Sequence, residues 1–132
     1  MNLLDTQVFV WWTSAVQLLS PIHREALDAS EADGLSVSAI SIWEVALLVT
    51  KGRLQLREPI DEWFERVMNI PTLHVIPPTP QILLNSTRLP GEFHADPADR
   101  IIVTTAREAD SVVFTTDGKI LQYPHVRSLG PN

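Results

Sequence analysis

Residues 94–117 read HADPADRIIVTTAREADSVVFTTD, and this stretch carries the two features that decide the fold. Asp96-Pro97 resembles a helix start, with an N-cap acid and proline at the first helical position, and predicts a helix to about Ala109. Val112–Thr115 is apolar and β-branched, which indicates a buried strand. A helix followed at once by such a strand is typical of a layered α/β domain with a parallel sheet.

The rest of the chain repeats this alternation of short apolar runs and amphipathic helices. There is no internal repeat or linker, so the sequence predicts one domain over residues 1–132. In the helix expected at Pro59–Met68, the side chains of Trp63, Phe64 and Val67 are predicted to face the core. The other strands are expected at Leu3–Leu4, Leu35–Val37, Leu73–Ile76 and Val126–Leu129, and further helices begin near Ser20-Pro21, Ala39 and Pro80.

Composition narrows the class of protein. With 132 residues, 45% hydrophobic residues and no cysteine, the chain is expected to be globular, without disulfides or thiolate metal sites, which suits a reducing cytoplasm. No apolar run is long enough to span a bilayer, so no membrane association is expected. The net charge of −6 favours an acidic protein without a nucleic-acid partner, unless several acids share one cleft and bind a divalent cation.

Two aspartates follow strands that are expected to be neighbours. Asp5 ends the first predicted strand and Asp117 follows the fourth. In an open α/β sheet, ligands bind outside the carboxyl ends of the strands, where these carboxylates would meet. Taken alone, Asp117 is better explained as a turn residue, because Thr116-Asp117-Gly118 is a good turn sequence, whereas for the pair the two interpretations are about equal.

Glu44 is the only charged residue within residues 37–50, a stretch that predicts a helix apolar on most sides. A charge in such a place has to be paired or coordinated, because burying it alone costs several kcal/mol. The alternative is a capping box formed with Ser41, although Ser38 is an equally good N-cap.

Asp99 lies at the third position of the helix that Asp96 caps, on the same face and at the edge of the core. It is therefore expected to reach the cleft of Asp5. Converging carboxylates repel each other by roughly 4 kcal/mol per pair at 4 Å and an effective dielectric near 20, which a bound cation relieves. All-oxygen ligands suit Mg²⁺ or Mn²⁺. The four histidines, which are His23, His74, His94 and His125, are expected at the surface or in loops. Of these, only His94 is close to the acids in sequence.

Taken in order, several blocks of the sequence resemble a PIN domain of the VapC type. The similarity extends over nearly the whole chain, and its strength lies in the order of the blocks. They are Leu3-Leu4-Asp5-Thr6, Ser38-Ala39-Ile40-Ser41-Ile42-Trp43-Glu44, Lys51-Gly52-Arg53-Leu54, His94-Ala95-Asp96-Pro97-Ala98-Asp99-Arg100 and Thr115-Thr116-Asp117.

The resemblance implies a small parallel sheet between helices, in a three-layer α/β/α arrangement, and an acidic pocket that binds Mg²⁺ or Mn²⁺. It also implies ribonuclease activity, with a 5′-phosphate and a 3′-hydroxyl as products, a cognate VapB-type antitoxin and a homodimer. The family's acids fall on Asp5, Glu44, Asp99 and Asp117. Asp5 and Asp99 would bind the metal directly, Asp117 directly or through water, and Glu44 would orient or deprotonate the attacking water or complete the metal shell.

Further residues are expected around these acids. Thr6 and Thr116 are candidates to hydrogen-bond a carboxylate or phosphate, and Asp96 either caps its helix or belongs to the site. Candidates for phosphate contact are Arg100, Arg53 and Lys51.

Two alternatives to the nuclease are a catalytically inactive PIN-like binding module and an aspartate-based phosphatase-like enzyme. The phosphatase class usually has a second acid two residues after its nucleophile, where this chain has Gln7. No glycine-rich nucleotide loop follows any strand, so no nucleotide cofactor is expected.

Overall fold

A parallel sheet of five short strands forms the centre of the molecule. The computed structural model describes residues 1–132, and the strand order is β3-β2-β1-β4-β5, with every neighbouring pair parallel. The first and fourth strands are neighbours, as the sequence predicted. The strands are β1 (Asn2–Leu4), β2 (Leu35–Ser38), β3 (Leu73–Ile76), β4 (Val112–Phe114) and β5 (Ser128–Leu129).

Helices cover both faces of the sheet, which makes the predicted three-layer α/β/α arrangement correct. The helix starts after Ser20 and Asp96 are confirmed, because each of these side chains caps its helix. The four-residue helix that follows Asp117 was not predicted. The helices are α1 (Thr6–Ser14), α2 (Pro21–Ser30), α3 (Ala39–Thr50), α4 (Ile60–Met68), α5 (Pro80–Ser86), α6 (Pro97–Glu108) and α7 (Gly118–Leu121).

Two hydrophobic clusters, one on each side of the sheet, hold the layers together. Successive strand residues point to opposite faces, so Leu3 belongs to one cluster and Leu4 to the other. The larger cluster packs α1, α2, α3 and α4 against the sheet, and the smaller one packs α6 and α7. None of the seven helices combines the length and the apolar character that a membrane crossing requires.

Helix α6 is buried along most of its length, which fixes where its first turn lies. Residues 101–106 are all buried, including the hydroxyl side chains of Thr104 and Thr105. These hydroxyls donate to the carbonyl oxygens of Arg100 and Ile101, both at 2.7 Å, so neither hydroxyl is left unpaired. The burial leaves α6 little freedom to rotate or slide, and Asp99 in its first turn is held accordingly.

Trp63 joins α4 to α1 in the larger cluster. Its ring is fully buried, meets the ring of Phe9 edge-on at 5.6 Å, and its Nε1 donates to Thr13 Oγ1 at 3.0 Å. The predicted inward positions of Trp63 and Val67 are correct, but that of Phe64 is wrong, because Phe64 is 45% exposed. Trp63 and Val67 point about 40° apart and share the buried face, whereas Phe64 points about 100° from Trp63 and lies at its edge.

His23 also departs from expectation, since it is fully buried rather than at the surface. The ring stacks on Phe114 with centroids 6.1 Å apart, and Nε2 lies 2.8 Å from the carbonyl oxygen of Leu129. The side chain therefore ties α2 to strands β4 and β5. A histidine side chain can be buried among apolar groups when one of its ring nitrogens has a hydrogen-bond partner of this kind.

Candidate metal centre

The carboxyl ends of β1 and β4 bring Asp5 and Asp117 to the same edge of the sheet. The Asp5 backbone N–H donates to the carbonyl oxygen of Phe114 at 3.0 Å, which continues the pairing of the two strands. Asp117 follows β4 by three residues and caps α7 through its side chain. The adjacency proposed from the sequence is therefore present, at the edge where open α/β sheets place their ligands.

Asp5 is 5% exposed and its carboxylate is held by two donors. One oxygen accepts from the Val8 backbone N–H at 2.9 Å, so Asp5 is the N-cap of α1, and the other accepts a short hydrogen bond from Thr115 Oγ1. Thr115 Oγ1 also accepts from the Asp117 backbone N–H at 2.9 Å. This buried hydroxyl links the two aspartates, a role that the sequence analysis considered for Thr116 instead.

Glu44 points into the same region from the second turn of α3. The N-cap of this helix is Ser38, whose hydroxyl accepts from the Ile40 backbone N–H at 3.2 Å, so the capping-box interpretation of Glu44 is wrong. Thr6 Oγ1 makes a short hydrogen bond to Glu44 Oε1 and lies 2.9 Å from Ser41 Oγ. The half-buried Glu44 carboxylate is therefore oriented by a hydroxyl beside Asp5.

The start of α6 supplies the fourth acid. Asp96 is exposed and accepts from the Asp99 backbone N–H at 2.9 Å, which makes it the helix cap. Asp99, half-buried, faces the cleft. Of the two aspartates, Asp99 therefore reaches the cleft and Asp96 contributes its charge from outside.

The four acids surround one cavity of about 300 Å³. Arg53 is its single cationic lining residue, whereas Lys51 does not line it. Arg100 was predicted to contact phosphate, but it donates to the backbone carbonyls of Ser86, Phe93 and His94. It does not line the cavity, so this prediction is wrong. The lining residues are Asp5, Thr6, Gln7, Val10, Glu44, Leu48, Arg53, Leu54, Asp99, Thr116 and Asp117.

Burial and mutual repulsion raise the pKa of three of these acids. Burial raises the pKa of Asp99 to about 7, with further upward contributions from the charges of Asp96, Asp117, Glu44 and Asp5. Burial likewise raises the pKa of Asp5 and of Glu44, although the hydrogen bonds from Thr115 and Thr6 act in the opposite direction. The cluster is thus a group of carboxylates that are costly to ionise together.

A divalent cation fits this donor set. Carboxylate oxygens are the ligands that Mg²⁺ and Mn²⁺ prefer, and a cation replaces the repulsion by attraction. A ring nitrogen of His94 and one carboxylate oxygen from each of Asp99 and Asp117 lie within 4.8 Å of one another, close to the spacing of ligands on one ion. Asp5 and Glu44 line the same cavity and extend the set of oxygen donors.

The metal-free protein is expected to lose stability as pH rises from about 4 to 7. The folded chain keeps the Asp99 proton up to about pH 7, whereas the unfolded chain releases it near the ordinary pKa of 3.8. The folded state therefore binds more protons in this interval, and its stability falls with rising pH. Thermal unfolding with a chelator at pH 5 and pH 8 measures the difference. The stability of an Asp99→Asn variant should fall less over this range. An equal fall in the variant and the wild type would contradict the raised pKa of Asp99.

The sequence analysis did not anticipate the hydrogen bonds of Thr115 or the direct contact of His94 with Asp99. Thr115 was assigned only to the strand, although a hydroxyl residue at the end of a strand between two acids is a usable indication of a hydrogen-bonding role. His94 was placed near the acids, but its contact with Asp99 depends on how residues 88–96 fold back. His94 Nε2 lies 3.0 Å from Asp99 Oδ2.

Comparison with known proteins adds a family to this geometry. The PIN domain family profile matches residues 3–126 of the chain. A curated relative, ribonuclease VapC22 of Mycobacterium tuberculosis (strain ATCC 25618 / H37Rv), is 35% identical over 126 residues, which cover 95% of this chain and 93% of that protein.

Several solved structures share the fold at low sequence identity. The chain is similar to FitAcB from Neisseria gonorrhoeae, with a TM-score of 0.73, 20% identity and coverage of 99% of this chain and 98% of that one. It is also similar to VapBC2 from Rickettsia felis bound to a promoter DNA fragment, with a TM-score of 0.70, 14% identity and coverage of 98% and 97%. DNA-bound VapBC from Salmonella typhimurium gives a TM-score of 0.70 at 18% identity, over the full length of both chains.

Proposed function

Because this chain belongs to the PIN domain family, we propose that it is a metal-dependent ribonuclease and the toxin of a type II toxin–antitoxin pair. The cation is Mg²⁺ or Mn²⁺, and the substrate is RNA. The relative VapC22 is named a ribonuclease and aligns with 95% of this chain. The products expected from the family are a 5′-phosphate and a 3′-hydroxyl.

The observation that carries this proposal is the convergence of Asp5, Glu44, Asp99 and Asp117 on one cavity. They come from four separate segments of the chain, namely the β1–α1 junction, α3, α6 and the start of α7. No other acid lines that cavity. A set of carboxylates that are costly to ionise together and that a cation would stabilise, in an open cleft, is what a phosphodiester hydrolase with a metal centre requires.

The four acids have distinct positions in the proposed mechanism. Asp5, Asp99 and Asp117 would hold the cation, which supplies an activated water and stabilises charge on the scissile phosphate. Glu44 would accept a proton from the attacking water, because its raised pKa brings the carboxylate closer to the working pH of a general base. Thr6 would keep Glu44 oriented through the short hydrogen bond described above.

We assign substrate binding to Arg53, the one positively charged side chain that lines the cavity. Arg53 extends from the segment after α3, is exposed, and lines the cleft together with the four acids. A guanidinium can hold a phosphate oxygen with two parallel hydrogen bonds, which positions the backbone of RNA without selecting a base. Gln7 occupies the place where an aspartate-based phosphatase has its second acid, so we favour the nuclease over that class.

The proposal is tested by incubating the purified chain with total bacterial RNA, with and without Mg²⁺ or Mn²⁺. Discrete cleavage that requires the cation is expected. Asp5→Asn should abolish it while the protein stays folded, because asparagine keeps a side-chain oxygen for the Val8 backbone N–H. Asp28→Asn is the matched control, since Asp28 is exposed on α2, away from the cavity, and its change of charge is the same.

Each outcome has a defined meaning. If Asp28→Asn loses as much activity as Asp5→Asn, the cleavage does not arise from this centre. If the cation binds and no RNA in the total bacterial pool is cut, the chain is an inactive PIN-like binding module. End-mapping of the products distinguishes a 3′-hydroxyl from a cyclic phosphate, and the latter would exclude the proposed chemistry.

A VapB-type antitoxin and a second copy of the chain are the proposed partners. Structures described as VapBC complexes share the fold of this chain. Trp43, next to Glu44 on α3, is 56% exposed, which is unusual for the largest apolar side chain and suits a surface that a partner covers. Light scattering of the purified chain should give twice the mass of one chain if the homodimer forms.

A further inference from the structure

His94 contributes a nitrogen atom to the edge of the acidic cluster. Its Nε2 lies 3.0 Å from Asp99 Oδ2, yet the two atoms do not have the geometry of a hydrogen bond, and Nε2 is buried without any other partner. A buried ring nitrogen without a partner is uncommon, because its lost contact with water is normally replaced. Apart from this contact with Asp99, Nε2 has no polar partner among the protein atoms.

The spacing of the neighbouring donors indicates what would supply a further partner. A ring nitrogen of His94 and one oxygen each of Asp99 and Asp117 lie within 4.8 Å of one another. Two ligands held at about 2.2 Å from one ion are at most about 4.4 Å apart, so small movements of these side chains would bring all three onto one cation.

The loop that carries His94 is fixed rather than free. Arg100 Nη1 donates to the carbonyl oxygens of Phe93 and His94 at 2.9 and 3.1 Å. The ring of His94 packs against that of Phe93 with centroids 4.5 Å apart, and Phe93 in turn packs on Tyr123 at 4.8 Å. These contacts hold the imidazole beside Asp99, as a preorganised ligand requires.

We propose that His94 is a nitrogen ligand of the metal centre and gives it a preference for Mn²⁺ over Mg²⁺. The inference rests on the proposed function, since it concerns the same cation. Both ions favour oxygen ligands, but Mn²⁺, as a transition-metal ion, accepts an imidazole nitrogen more readily than Mg²⁺ does. A neutral ligand also completes the shell without adding a further negative charge to a cluster that already repels itself.

The direct test uses Mn²⁺ alone and the electron spin echo of the loaded wild-type protein. A coordinated imidazole nitrogen modulates the echo of Mn²⁺ with the frequencies of ¹⁴N, and histidine labelled with ¹⁵N changes that pattern. We expect the ¹⁴N modulation in the wild type and its loss in His94→Asn and His94→Ala. His74→Ala is the control, because His74 lies on β3 and is not in the group that His94 forms with Asp99 and Asp117.

Binding titrations give the second readout. Removing His94 should raise the Kd for Mn²⁺ by about tenfold or more and that for Mg²⁺ by less than about threefold, which abolishes the preference. If Mn²⁺ binds without ¹⁴N modulation, or if both ions weaken equally, the assignment of His94 is overturned while the metal centre stands. If neither ion binds to the folded wild type, the proposed function itself fails. Circular dichroism of each variant establishes that it is folded.

Discussion

Asp99→Asn is expected to reduce RNA cleavage by about 10³-fold or more. The substitution removes a proposed metal ligand, and a metal ion supplies several kcal/mol of transition-state stabilisation, where about 4 kcal/mol corresponds to about 10³-fold. Asparagine has nearly the same shape as aspartate. The Asp99 backbone N–H keeps its bond to the Asp96 carboxylate, so the first turn of α6 should remain intact.

The same substitution should stabilise the metal-free protein at pH 8. Asp99 is forced to ionise there although its pKa is about 7, in a site already occupied by other acids. The full pKa shift of Asp99 overstates the gain in stability, because the side chain is partly exposed and solvent screens its charge. We expect a gain of about 1–2 kcal/mol, which corresponds to a rise in Tm of several degrees.

Opposite signs for activity and stability distinguish loss of a ligand from loss of the fold. RNA cleavage with Mg²⁺ or Mn²⁺ and thermal unfolding in a chelator measure the two quantities on one preparation. Glu108→Gln is the control, because Glu108 is exposed at the end of the same helix. If Asp99→Asn unfolds at a lower temperature than the wild type, or cleaves RNA normally, Asp99 does not have the role assigned to it.

Trp63→Ala is expected to lower the free energy of unfolding by about 3–5 kcal/mol, the usual cost of removing a buried tryptophan. The change would leave a cavity between α4 and α1, remove the edge-on contact with Phe9 and break the hydrogen bond to Thr13 Oγ1. A domain of this size has only about 5–15 kcal/mol of stability in total, so a large part of it would be lost.

Denaturant unfolding measures this effect, with Phe64→Ala as the matched control. Phe64 is the next residue on the same helix but is 45% exposed, so its removal should cost less than about 1 kcal/mol. Trp63→Phe should fall between the two, because it keeps most of the apolar volume and loses the hydrogen bond. Equal losses for Trp63→Ala and Phe64→Ala would contradict the described packing of α4.

The acidic composition is consistent with a nuclease once the acids are located. Removing Asp5, Glu44, Asp99 and Asp117 from the count changes the formal net charge from −6 to −2. A bound divalent cation would offset part of the negative charge of these acids. The total charge is therefore consistent with the proposed metal site and does not exclude an RNA substrate.

The sequence by itself determined most of the elements and their order, although not the short helix α7. Caps such as Ser20 and Asp96, proline at first helical positions, and the apolar run of β4 are local features, and local features set where helices and strands begin. It also predicted that Asp5 and Asp117 would meet if the sheet has a switch point between the two halves of the chain, because parallel neighbouring strands bring their carboxyl ends to one edge. The positions of the four acids follow from these two facts together with the order of the motifs.

Only the tertiary structure decided which polar side chains touch the acids. The Thr115 hydroxyl bridges Asp5 and Asp117, and His94 reaches Asp99 from a loop. His23 is buried although its sequence neighbourhood is polar, because Phe114 and Leu129 come to it from distant strands. Such contacts depend on how separate elements pack and on where a loop returns, and neither property is encoded in the periodicity of a single segment.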